Sequence, residues 1–262
     1  MTNPDAPITT TTDGRVRIIA LSRPHKRNAF TTAMLAGLAD AYSAFEDDPE
    51  VWVALLVADG DHFTAGLDLA EVGPAIASGA AIFPSDQVDP LDLGGRRRTK
   101  PVVCAVQGIC FTIGIELMLA SDIVITGDDA RFAQMEVRRG IMPFGGATLR
   151  MHELAGWPRA MKWLLSGDEF DAAEALAMGL VAEVVPAATV RARGLALAQR
   201  IAERAPLAVR ATLASARTAR EHGRDRAAAE LMGHARPLFA SADAREGILS
   251  FIERREGRFT GR

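Results

Sequence analysis

The sequence predicts a mixed α/β fold followed by an all-helical C-terminal region. Three observations carry that reading. Apolar runs short enough to be strands, at residues 51–57, 100–106 and 122–126, alternate with helical spacing. That is the rhythm of parallel strands joined by right-handed crossovers. The run at 51–57 is apolar almost without a break, as in a strand covered on both faces. From Ala187 onward apolar positions recur only at helical spacing, with breaks at Pro206, Gly223 and Ser241.

Taken in order, residues 1–14 are Thr-rich and polar and read as a flexible N-terminus. Residues 16–21 read as a short strand ended by Ser22-Arg23-Pro24. Thr31 is placed to N-cap a helix running to about Phe45, with an apolar stripe of Met34, Leu35, Leu38, Ala41, Tyr42 and Phe45. After the strand at 51–57, Asp59-Gly60-Asp61 opens a loop over 62–68. Residues 69–98, with Pro74, Pro84 and Pro90, read as a long surface loop or lid holding at most one weak helical turn. The strand at 100–106 leads through a glycine-punctuated loop to a short apolar helix at 115–120, then to the strand at 122–126. A glycine-rich turn over 140–146 feeds a helix to about Ala155. Helices follow near 157–165 and 171–178, with Trp157 and Trp163 expected in the core, and then a strand at 181–185. The expected organisation is a flexible 1–14, an α/β core over 15–190 and a helical region over 191–262.

Composition excludes several classes. A net charge of −3 argues against a general nucleic-acid binder, and the Arg-rich stretch 191–226 reads as solvated helix faces. No apolar run approaches the ~18 residues of a membrane span, and no signal-peptide core is visible. Cys104 and Cys110 read as buried thiols of a reducing compartment, so the expected setting is cytoplasmic. None of the five histidines falls in a triad or metal spacing, and His62 reads as a solvated turn residue. Nucleotide-phosphate loops and a Gly-x-Ser-x-Gly elbow are absent.

The chemistry-bearing candidates are two acids and two loops. Glu116 sits in an apolar helical segment, where a carboxylate is costly unless hydrogen-bonded or protonated. Glu116 and Glu136 fit two readings. They are a pair gripping one water, one accepting and one donating a proton. Or they are a helix acid paired with an arginine and a surface acid beside Arg138 and Arg139. The loops Ala65-Gly66-Leu67-Asp68 and Thr112-Ile113-Gly114 either supply N–H groups to an oxyanion or are ordinary turns. The second opens onto a helix N-terminus, which favours negative charge.

A set of stretches falls in a telling order: Arg23-Pro24 with Asn28-Ala29, residues 63–69, residues 100–108, Gly114-Ile115-Glu116-Leu117 with Ser121-Asp122, residues 132–136, and Pro143-Phe144-Gly145-Gly146. In this order they resemble the enoyl-CoA hydratase/isomerase family, the crotonase superfamily, from about residue 15 to the end. The resemblance implies a spiral of ββα repeats with a C-terminal helical region that drives assembly into a homotrimer or dimer of trimers. It implies an acyl-CoA substrate, with coenzyme A as part of that substrate and no separate cofactor or metal. Catalytic roles fall on Glu116 and Glu136, and the thioester oxygen on the N–H groups of Leu67 and Ile113. The ligand's CoA portion is implied along His25, Lys26, Arg27 and Ala29, and along Ala65, Asp68, Leu69 and Gly114. Lys26 and Arg27 suit phosphates, or are solvated loop charges. Arg254 or Arg255, beside Phe251, is implied to reach a neighbouring subunit's ligand. The implied activity is hydration of a 2-enoyl-CoA across its 2,3 double bond. The alternatives are another acyl-CoA isomerase or lyase of the same fold, or a weakly catalytic acyl-CoA-binding protein. Ile113, where the family usually carries glycine, motivates the last of these, and Ile113 together with Ala147, at another usual glycine, bears on chain-length preference and catalytic efficiency.

Overall fold

The computed structural model describes residues 6–262. Strand β1 (Ile8–Asp13) pairs antiparallel with β2 (Val16–Leu21). The expected flexible N-terminus is therefore corrected over 8–13, while residues 1–5 lie outside the described residues. The β-branched run Ile-Thr-Thr-Thr-Thr suits an edge strand with one face in water. Helix α1 (Thr32–Asp47) starts where expected, with Thr31 Oγ1 accepting from the Met34 amide at 3.2 Å. Strand β3 (Val53–Ala58) is buried along its whole length.

Helix α2 (Leu69–Ala77) corrects the expectation of an irregular 69–98. Bonds from the Glu71 and Val72 amides to the Asp68 carbonyl nucleate it, buried Val72 anchors it, and it ends within a turn of Pro74. Then come β4 (Val102–Val106), β5 (Ile109–Phe111), α3 (Ile113–Ala120), β6 (Ile123–Gly127) and β7 (Arg131–Ala133). A 3₁₀ turn, Glu136–Arg139, precedes α4 (Ala147–Ala155), α5 (Trp157–Ser166), β8 (Phe170–Asp171), α6 (Ala172–Ala177) and β9 (Glu183–Val185). Four helices complete the described chain: α7 (Val190–Ala202), α8 (Pro206–His222), α9 (Arg224–Phe239) and α10 (Ala242–Glu253).

Among the described residues these strands form two sheets. One has six strands in the order β1-β2-β3-β4-β6-β9, parallel beyond the first pair, and the other has the order β5-β7-β8. Successive strands β4, β5, β6 and β7 go alternately to the two sheets, so the chain winds as a spiral. The two-residue period of β3 divides the core. Ala54 and Leu56 face a large cluster that includes α1 and α3, while Val53 and Leu55 face α7 through Val190, Ala198 and Ala202. Helix α7 thus covers the main sheet, and the boundary drawn at 190/191 moves: the helices beyond the α/β core begin with α8.

Two buried cations tie elements together in ways that sequence spacing did not reveal. Lys100 Nζ donates to the carbonyls of Phe45 (2.8 Å) and Asp48 (2.6 Å), closing the C-terminus of α1. Arg98, only 2 % exposed, donates to Asp122 at 2.6 and 3.2 Å. Arg217 of α8 joins the same carboxylate at 3.3 Å and so ties the C-terminal helices to the core. Trp157 was expected inside but is 65 % exposed, because it is the first residue of α5 and projects off the packed face. Trp163 is half-buried against Phe170 and donates to Glu174. Cys104 and Cys110 are both buried free thiols.

Candidate active site

Three parallel segments end at one cleft. Strands β5 and β7 pair with Phe111 opposite Ala133. On the other side of β5, Thr64 bridges Cys110 in parallel, and Leu67 further along bridges Phe30. Beyond the carboxyl ends of these segments lies a cavity of about 300 Å³. Ala65, Leu67 and Leu69 line it from the first segment, and Thr112, Ile113 and Glu116 from the second. Met135, Glu136, Arg139, Ile141 and Phe144 line it from the third segment and the turns beyond it. Carboxyl ends of parallel strands are where α/β proteins habitually bind ligands.

The amides of Leu67 and Ile113 are oriented by separate rules. The Phe30 amide donates to the Gly66 carbonyl at 2.8 Å and the Asp68 amide to the Phe30 carbonyl at 2.9 Å. A parallel bridge uses the groups flanking Leu67 and turns its own N–H the other way, to the cavity side. Ile113 is the first residue of α3, so its N–H has no partner within the helix. Among the described residues neither amide donates to a loop or cap carbonyl. Thr112 takes the backbone strain, with φ 51° and ψ −115°, a conformation a β-branched residue rarely adopts. Its amide is held by the Ala133 carbonyl at 2.9 Å. Gly66 packs against its side chain at φ 103°, and a Cβ there overlaps Thr112 Oγ1. Ile113 therefore keeps a helical backbone, and what distinguishes it from glycine is a buried side chain in the cavity wall.

The structure brings Glu116 and Glu136 to this one cavity, 3 % and 7 % exposed. Glu116 Oε1 accepts from the Gly145 amide at 2.6 Å and the Ala147 amide at 3.3 Å. Burial pushes its carboxyl above the ordinary range, while those amides and the Arg150 guanidinium pull it back. Glu136 is pushed up to about 7, chiefly by burial and further by the charge of Glu116. The Gln134 side-chain amide lies 3.0 Å from both Glu136 oxygens. With nitrogen forward it donates to the carboxylate, and with oxygen forward it accepts from the carboxylic acid, so one group serves both protonation states. The reading of Glu116 as an arginine-paired helix acid and Glu136 as a surface acid does not survive. The glycine-rich turn's amides hold the first, and the second is buried.

The remaining candidates divide. His25, Lys26 and Arg27 are exposed on a 3₁₀ turn. That turn is stitched to the cavity-lining loop by the Ala65 amide, which donates to the Arg27 carbonyl at 2.9 Å, and by Thr64 Oγ1, which donates to the Asn28 carbonyl at 2.7 Å. Ala29 is half-buried on the same segment and its carbonyl accepts from Arg23. Asp68 departs from expectation: its carboxylate accepts from Arg23 at 3.3 Å and is not among the groups lining the cavity. Gly114 lies behind Ile113 against Thr64 and Cys110. His62 is half-buried, not solvated, and its Nδ1 accepts from the Ile109 amide. Arg255 pairs with Glu246 and Glu253. Sequence reasoning named Asn28 only within a matching stretch and missed that it is a buried staple whose Nδ2 donates to the carbonyls of Asp59 and His62. It also missed the role of Gln134, which it carried only as a member of the matching stretch 132–136. Among the described residues no cluster of side chains could hold a metal ion, and no helix is long and apolar enough to cross a membrane.

This chain is similar to known proteins. A family model described as Enoyl-CoA hydratase/isomerase matches residues 11–262. The enoyl-CoA hydratase EchA19 of Mycobacterium tuberculosis is 33% identical over 254 residues, covering 95% of this chain and 94% of its own. The 2,3-dehydroadipyl-CoA hydratase of Escherichia coli is 33% identical over 248 residues, covering 95% and 96%. The crystal structure of a probable enoyl-CoA hydratase/isomerase from Mycobacterium abscessus superposes with a TM-score of 0.94 at 46% identity, covering 98% of this chain and 99% of that one.

Proposed function

This chain belongs to the enoyl-CoA hydratase/isomerase family and has the crotonase fold, and from that premise we propose that it adds water across the 2,3 double bond of a 2-enoyl-CoA. One observation carries the reading: two buried carboxyls, Glu116 and Glu136, line the same cavity as Leu67 and Ile113, whose amides donate to no loop or cap carbonyl among the described residues. Glu116 is the better-supported anion, with two amides and a nearby guanidinium. Glu136, pushed up to about 7 by burial, is the readier of the two to hold the proton.

In the proposed step a water oxygen bonds to C3 while Glu116 takes one of its protons. Glu136 gives its own proton to C2. The charge that develops on the thioester oxygen is held by the N–H groups of Leu67 and Ile113, each such donor being worth ~2.7–4 kcal/mol in the transition state. Transfer of the proton from Glu116 back to Glu136 resets the pair. Hydration and dehydration are the same path run in opposite directions.

Lys26 and Arg27, exposed beside the cavity-lining loop, are proposed to meet the phosphates of CoA. We also propose a homotrimer or dimer of trimers in the cytoplasm. The large apolar side chains left in water on α9 and α10 support assembly, with Phe239 and Phe251 more than three-quarters exposed. The test is crotonyl-CoA hydration followed by loss of enoyl-thioester absorbance. Glu136→Gln lowers turnover ~10²–10⁴-fold while acyl-CoA binding persists. Undiminished turnover removes Glu136 from the chemistry.

A further inference from the structure

Arg138 and Arg139 are neighbours in sequence but part company in space. The aliphatic stem of Arg138 packs on Gly167, where a Cβ would stand 2.9 Å from Arg138 Cγ. Arg139 instead lines the cavity. Both follow from the 3₁₀ turn Glu136–Arg139: at three residues per turn, position 139 stands over position 136 and position 138 a third of a turn away. Among the described residues Arg139 forms no ion pair or side-chain hydrogen bond, unlike Arg131 and Arg159 nearby. Arg139 is itself exposed, and it shares the lining with apolar Met135, Ile141, Phe144 and Leu69 and with the two acids Glu116 and Glu136.

We propose that Arg139 makes this cavity select 2-enoyl thioesters whose acyl chain ends in a carboxylate. The inference rests on the hydratase reading of the same site. A neutral chain laid along this wall strips water from the guanidinium and returns nothing. A terminal carboxylate replaces that water with a charge-assisted, two-pronged pair. A CoA phosphate is the other anion on such a ligand. Placement favours the acyl end, because Arg139 stands over Glu136, the proton donor to the acyl chain. The exposed Lys26 and Arg27 belong to a turn fastened to the Thr64–Ala65 segment, with β5 lying between that segment and β7. The 300 Å³ of the cavity suits a short diacid chain.

The experiment compares 2-hexenedioyl-CoA with 2-hexenoyl-CoA, which differ only in a carboxylate for a terminal methyl, using the full-length protein and its Arg139→Gln and Arg139→Lys variants. Pantetheine thioesters of both, which lack the nucleotide phosphates, form the second arm. Arg139→Gln lowers kcat/KM for the diacid thioester about 10- to 100-fold and leaves the neutral one within about threefold. The same ratio holds on pantetheine, and Arg139→Lys restores part of it. Equal losses on both chains, or a loss that vanishes on pantetheine, overturns the proposal in favour of a phosphate contact. Binding of adipyl-CoA against hexanoyl-CoA, measured by calorimetry, separates the two readings. Arg139-dependent preference without turnover sinks the hydratase and keeps this inference, and turnover without that preference sinks the inference alone.

Discussion

The Gly145 amide donates to Glu116 Oε1 at 2.6 Å, and the same glycine presses so close that a Cβ on it stands 2.6 Å from Glu116 Cδ. The carboxylate is held by the backbone of a turn that leaves no room for any other residue. Gly145→Ala therefore displaces Glu116 without touching its chemistry. We expect kcat to fall about 100-fold with KM little changed, because a shift of about 1 Å suffices for such a loss. Steady-state kinetics on crotonyl-CoA checks it, and a kcat within a factor of a few would show that the turn does not position Glu116.

Glu136 predicts two pH trends of the same sign from one cause. As the proton donor it must be protonated, so kcat/KM declines as pH rises through about 7. Its folded value exceeds the ordinary 4.5, so between those limits the folded state binds more protons than the unfolded. Stability is fullest below the unfolded value and is lost as pH rises through the folded one. Glu136→Gln removes the buried charge and should raise stability at pH 8 by on the order of 1–3 kcal/mol relative to pH 4. Urea unfolding of both proteins at the two pH values measures the difference, and a pH-independent effect argues against it.

Ile113 narrows the cavity from the first turn of α3, where its side chain is buried. Ile113→Gly keeps the amide and removes the bulk. We expect the ratio of kcat/KM for a long-chain over a short-chain 2-enoyl-CoA to rise about tenfold, the scale of one or two methylenes. Stability should fall by about 3 kcal/mol. A chain-length profile settles the first point, and an unchanged profile assigns the wall to other residues.

Asp122 accepts from Arg98, from Arg217 and from the Val102 amide at 2.7 Å. Asp122→Ala leaves the Arg98 guanidinium buried without its counterion. Breaking a buried pair in this way costs about 3–5 kcal/mol, read as a lower urea midpoint. A change of under 1 kcal/mol would show that water or Arg98 rearrangement compensates.

Much of this was readable in the chain. The apolar run that became β3, the Thr31 cap, the breaks between α7, α8, α9 and α10, and the two acids are all local signals, set by side-chain period and turn chemistry along consecutive residues. Other features were illegible because neighbours distant in sequence decide them. Asp68 is written beside the cavity loop, yet Arg23 takes its carboxylate. Trp157 has a core residue's composition, yet the first position of α5 leaves it in water. The polar 8–13 segment orders because β2 offers it an edge.

By itself the sequence determined the strands of the main sheet from β2 to β6, the helical C-terminal region, the apolar setting of Glu116 and the glycine-rich turns around it. Tertiary structure alone decided that Glu116 and Glu136 line one cavity, that Ile113 keeps a helical backbone while Thr112 bears the strain, and that Arg139 rather than Arg138 lines that cavity. The physical reason is the parallel pairing of β5 with β7. Hydrogen bonds between segments some twenty residues apart bring their carboxyl ends to one edge, and no period along the chain encodes which ends will meet.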